Sequence, residues 1–189
     1  MSTYLTVTIR DKNGEVTKHY HRRCHSFVKQ MLQLLEVHHR GVGIANILDT
    51  SNTARTVMSS TNHFKIEGGI GIVTKGIVVG SGLAAEANTD YALQTLIAHG
   101  VGAGQLSYQA VSFTTTAIVG ANVDFIITRV LTNGSGGNVS VNEIGLYCAA
   151  DDSIGTTRYF CIIRDVLPST DVIPNGGTYT VTLTERTTV

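Results

Sequence analysis

The stretch "TNGSGGNVSVNEIGLYC" (residues 132–148) decides how the chain folds. Its Asn133-Gly134 and Gly136-Gly137 pairs turn easily, and apolar residues then return at every second position. Val139 and Val141 line one face of a strand, while Ile144, Leu146 and Cys148 line the opposite face. A period of two tolerates that change of parity at Asn142-Glu143 only through a bulge or a passage from one-sided to two-sided burial. Glu143 is then a partly buried carboxylate, which needs a counter-charge or several N–H donors. Arg164, in "CIIRDV", is the expected partner, so Glu143 and Arg164 are read as a structural ion pair between strands.

Further strands are expected on both sides of this one, over residues 70–74, 76–80, 105–114, 123–131, 158–166 and 178–184. In the last, Tyr179, Val181 and Leu183 alternate with Thr178, Thr180, Thr182 and Thr184. Near the start, Leu5, Val7 and Ile9 alternate likewise, and an Asn13-Gly14 turn returns the chain as a hairpin. From Ser26, a helix cap, the period becomes helical. Phe27, Val28, Met31, Leu32 and Leu35 fall on one side and Lys29, Gln30, Gln33 and Glu36 on the other, until Gly41 and Gly43 end the run. Phe27, Met31 and Leu35 mark an assembly face, docking on a sheet or on a partner subunit. Residues 41–69 are rich in Asn, Thr and Ser and read as a long excursion or arm. Many short strands with one helix predict a mainly β chain, an antiparallel β-sandwich or jelly roll with an N-terminal hairpin. Two units are expected, 1–69 as an assembly segment and 70–189 as the β domain.

With 189 residues and 42% hydrophobic content the chain can bury a sizeable core, and only 15% is charged. Fourteen basic and fourteen acidic residues cancel, so nothing global points to nucleic acid or an anionic membrane. The signs are unevenly spread, with a basic head over residues 1–40 and an acidic tail from 141 onward, a pattern that permits attraction between subunits. Three cysteines, Cys24, Cys148 and Cys161, are too few and too scattered for a disulfide framework. "MSTYLTVTIR" lacks an apolar run like a signal peptide and no stretch approaches the ~18 apolar residues of a membrane span. The expectation is a soluble protein made in a cytoplasm.

Three groupings invite a chemical reading. "IVVGSGLAA" (residues 77–85) has the glycine spacing of a dinucleotide turn, but no acid follows at the ~20-residue distance that a ribose requires. A turn is the expected role. "HYHRRCH" places His19 and His21 on one strand face, with Cys24 and His25 beyond, yet no second ligand group stands at a zinc-site spacing. No metal or other cofactor is therefore expected. Glu143 and Asp165 are the one pair of carboxylates that a glycosidase reading would use. Each sits in dense strand pattern, so structural pairing is expected and no catalytic residue is assigned.

The segments "GIVVGSG", "DYALQTLIAHG", "GAGQLSY", "FIITRVLTNGSGGNVSVNEIGLY" and "CIIRDVLPSTDVIPNGGTYTVTLT", in this order, resemble a group of virion structural proteins of tailed bacteriophages. The likeness runs from about Gly76 to Glu185, and "TVTIRDKNGEV" with "CHSFVKQMLQLL" also fits it. The resemblance implies a non-enzymatic β-sandwich subunit, made in the host cytoplasm and located in the virion. Its implied partners are copies of itself and the major capsid or tail proteins, in a homo-oligomer. A receptor- or glycan-binding module of a tail fibre is the alternative, with loops 134–138 and 151–157 as the site. The absence of Trp and an aromatic content of 6% weigh against it.

Overall fold

The computed structural model describes residues 2–24, 27–60 and 63–188. The chain is mainly β with one helix. In order come β1 (Ser2–Arg10), β2 (Val16–Arg23), α1 (Lys29–Arg40), β3 (Ile44–Leu48), β4 (Ala54–Val57) and β5 (Gly76–Gly80). There follow β6 (Ser107–Tyr108), β7 (Ser112–Val119), β8 (Asn122–Thr132), β9 (Val139–Asp151), β10 (Thr157–Ile173) and β11 (Thr178–Thr188). All pairings between these strands are antiparallel.

The larger sheet runs β2-β1-β11-β8-β6, with β7 also paired to β8. Strict alternation sets its inner face: Leu5, Val7 and Ile9 lie beside Tyr179, Val181 and Leu183, and these beside Ile127 and Leu131. The outer face is a field of threonines, in which Thr128 and Thr182 share a hydrogen bond of 3.0 Å across strands. Because Ser2 pairs with Arg186 and Arg10 with Thr178, the N-terminal hairpin is an integral part of this sheet. The expected boundary at residue 69 therefore falls inside a joined structure.

The second sheet, β10-β9-β5, is buried through most of its length. From Asn142 to Ala150 every residue of β9 is buried, so the parity change at Glu143 reflects passage to two-sided burial. The accompanying bulge lies on the neighbouring strand: Val166 pairs with Glu143 but Asp171 with Val141, leaving residues 167–170 looped out. Pro168, which lacks an N–H for the ladder, sits in that bulge.

Expectations for three segments are corrected. The helix begins at Lys29, with Val28 as its N-cap and no capping side chain; Ser26 lies outside the described residues. Its buried residues are Gln30, Met31, Leu34 and Val37, while Leu32 is 69% exposed. The inward face is thus rotated by roughly one residue from the expected stripe, because both the three-residue and four-residue spacings pass through Met31. The segment 41–69 is no free arm: β3 and β4 form a hairpin that buries Ile47 and Val57, and Met58 and Lys65 donate backbone hydrogen bonds to Asp151 and Ala149 of β9. Residues 70–74 form a turn instead of a strand.

Candidate functional site

The densest polar centre of the molecule gathers on the odd-numbered face of β9. The Glu143 carboxylate is fully buried and accepts four hydrogen bonds. Oε1 takes them from the backbone N–H of Gly82 at 3.2 Å and of Thr95 at 2.9 Å; Oε2 takes them from the N–H of Gln94 at 3.1 Å and from Arg164 Nε at 2.9 Å. Arg164 is placed diagonally across the ladder, since it pairs with Gly145 while Glu143 pairs with Val166. Its remaining N–H groups donate to Asp90 Oδ2 at 2.6 Å, Ala84 O at 2.8 Å and Ala85 O at 3.3 Å. Burial pulls the guanidinium pKa down, but the hydrogen-bonded carboxylates of Asp90 and Glu143 outweigh it and hold it above its ordinary value. The centre fastens the long irregular segment 81–97 onto β9. Gln94 Oε1 secures the N–H groups of Leu83 and Ala84 at 2.8 Å each, and Leu93 N–H donates to the Tyr147 hydroxyl at 2.6 Å.

The same geometry explains the "GSG" turn. A Cβ on Gly80 would stand 2.5 Å from Glu143 Oε1 and 2.6 Å from the Thr95 carbonyl oxygen, and one on Gly82 would stand 2.6 Å from Glu143 Oε1. The glycines let backbone approach an anion, as in a phosphate-binding turn. Here the anion is the chain's own Glu143.

Asp165 pairs with Ile144 and so projects to the opposite face of the sheet from Glu143 and Arg164. The two carboxylates do not converge on a common substrate position. Asp165 instead meets β2: Arg22 Nη2 stands 3.0 Å from Oδ2, at ion-pair distance though off hydrogen-bonding angle, and Cys24 Sγ donates to Oδ2 at 3.0 Å. Nearby, buried Asp171 accepts from Lys18 and from the hydroxyls of Tyr20 at 2.9 Å and Tyr179 at 2.6 Å. Burial and the Asp171 charge raise both tyrosines above their ordinary values. The basic head and acidic tail therefore attract one another within the subunit, from β2 to β10.

The histidine motif is dispersed by its own strand. His19 and His21 share an exposed face, where their Nδ1 atoms pair with Thr8 at 2.9 Å and Thr6 at 2.8 Å, while Cys24 turns towards Asp165. His25 lies outside the described residues, and among the described residues no three His, Cys, Asp or Glu side chains form a metal-holding group. No disulfide joins the three cysteines, and burial pushes the Cys148 and Cys161 thiols up, away from reactivity. Of the helix residues, Met31 is buried and Leu35 half-buried; with Phe64, Ile66, Phe125, Leu146, Ile162 and Glu185 they line a cavity of about 370 Å³. Phe27, before the helix, bridges to Ile163. Loops 134–138 and 151–157 lie at opposite ends of thirteen-residue β9, ~40 Å apart, so they do not form one site.

Sequence reasoning passed over Arg129. It sits between Ile127 and Leu131 in the inward register of β8, fully buried, and among the described residues it is paired with carbonyl groups and no carboxylate. Its guanidinium donates to five carbonyl oxygens, those of Gly69, Ile72, Lys75, Ile77 and Gln109, at 2.7 to 3.4 Å, and lies 4.9 Å from the Tyr108 ring centre. Desolvation brings its pKa down to about 10, so it stays charged at neutral pH. The alternation in "FIITRVL" was the available signal, since it places a cation at a core position.

No protein-family model, no curated protein and no solved structure matches the chain.

Proposed function

We propose that the chain is a non-enzymatic virion structural protein of a tailed bacteriophage, an antiparallel β-sandwich of jelly-roll kind that assembles through symmetric subunit contacts into or onto the capsid or tail. The observation that carries this reading is the contrast between the free edges of the larger sheet. The β2 edge bears Lys18, Arg22 and Arg23, charges that deter strand addition. The β7 edge, "SFTTTAIV", carries none; all eight residues are exposed, Ile118 at 82%, and among the described residues β7 pairs with β8 alone. An uncharged strand of high β propensity with open N–H and C=O groups is a template for a neighbouring subunit. The sequence resemblance supports the same class of protein, and the internal pairing of Glu143 and Arg164 suits a framework role better than a chemical one.

Light scattering and negative-stain imaging of the purified chain, with co-sedimentation against phage capsids and tails, test the proposal. A closed homo-oligomer or particle binding is expected, and lysines at Thr115 and Ile118 should abolish it without unfolding the subunit. A stable monomer that binds neither particle would overturn it.

A further inference from the structure

The inward register of β11 runs Tyr179, Val181, Leu183 and then Glu185. Glu185 faces Phe125 on β8 and Thr3 on β1, positions that belong to the core side of the sheet. A carboxyl group in core register ordinarily needs a partner, as Glu143 has. Glu185 has none: no hydrogen bond or ion pair reaches it among the described residues, and burial alone raises its pKa. The group ends in the 370 Å³ cavity under α1, whose other walls are Met31, Leu35, Phe64, Ile66, Phe125, Leu146 and Ile162. Phe64, on that wall, has a φ of 57°, a left-handed conformation that strains a bulky residue and that clusters at ligand clamps.

We infer that this cavity is a binding site for a small amphiphilic cation, a primary alkyl- or arylammonium, whose apolar body fills the space beneath α1 while its ammonium group pairs with Glu185. The charge pattern selects this class. An anionic lipid or carboxylic acid would meet the Glu185 carboxylate, and a neutral apolar molecule would desolvate that carboxylate further without compensating it. At ~30 Å³ per water-sized group the space holds about a dozen non-hydrogen atoms, enough for an ammonium on a six- to nine-carbon body. A second cavity, between β2 and the β10 bulge, differs because its cations Lys18 and Arg22 are already committed to Asp171 and Asp165.

The full chain at pH 7 would be titrated with n-octylammonium chloride, 1-octanol and sodium octanoate by calorimetry and ligand-observed NMR. Octylammonium should bind at least tenfold tighter than octanol, and octanoate more weakly than either. Glu185→Gln should remove the tenfold preference while leaving octanol affinity unchanged, and Leu35→Trp, which fills the space, should abolish binding of both. Equal affinity for octylammonium and octanol in the unmodified chain would overturn the inference, whatever the variants do. So would an octylammonium preference that survives Glu185→Gln.

Discussion

Two glutamates point inward from neighbouring sheets, and their surroundings are opposites. Glu143 meets four donors, an arginine among them, and glycines at 80 and 82 have cleared the space for backbone to reach it. Glu185 meets apolar side chains and open space. The difference teaches that burial of a carboxylate says little about its role until its donors are counted. The first is a rivet holding segment 81–97, and the second is a charge left for something outside the chain to satisfy.

Making Glu143 resemble Glu185 should have the largest effect. Arg164→Met leaves Glu143 and Asp90 without their cation and should cost ~3–5 kcal/mol, read from the urea midpoint, because an uncompensated buried charge remains. Gly80→Ala attacks the same centre sterically, since its Cβ would meet both the Glu143 carboxylate and the Thr95 carbonyl, and overpacking of this kind costs ~1–3 kcal/mol. Hydrogen exchange should show the loss concentrated in residues 81–97.

The opposite manipulation should stabilise. Glu185→Leu removes a desolvated carboxyl and adds apolar surface, and should raise Tm at pH 7 by ~2–4 °C, the shift that ~1 kcal/mol produces in a chain of this size. The sign with pH follows from the raised pKa. Below the ordinary value of 4.5 both folded and unfolded carboxyls are protonated, and as pH rises the unfolded form ionises first, so the native chain loses stability relative to the variant. The advantage of Glu185→Leu should therefore shrink in melts at pH 4. Asp124 gives the smallest effect, with the reverse sign. Its hydrogen bond to Arg186 holds it below the usual 3.8, so its contribution is present above that pH and lost as pH falls through the folded value. Asp124→Asn should move the acid-unfolding midpoint upward slightly.

What the sequence made legible follows the same division between local pattern and distant partners. The alternation of 178–184, the Asn13-Gly14 hairpin and the strands around Glu143 are local periodicities, and they reappear as β11, β1–β2, β9 and β10. Arg164 could be named as a partner of Glu143 because each interrupts an otherwise apolar strand. The three backbone donors to Glu143 come from a loop with no period of its own, and nothing local foretells them. The hairpin β3–β4 escaped because only Ile47 and Val57 are buried in it, too few to establish a period. Gln30 took a buried place that the helical stripe assigned to Leu32, because the faces of a twelve-residue helix are settled by what it docks against. Arg129 and Glu185 were legible by register alone, each standing two residues beyond an inward apolar neighbour.

The placement of β1 between β2 and β11 sets an order of events in time. β1 is synthesised first among these strands, yet one of its two ladders is supplied by β11, synthesised after the other ten described strands. During translation β1 can pair only with β2, leaving its other edge, and that of β8, open until β11 emerges. Closure of the larger sheet is thus a late, long-range step in which loop entropy must be overcome before contacts accumulate. In that interval these two strand edges are open to other nascent copies, an exposure that favours aggregation.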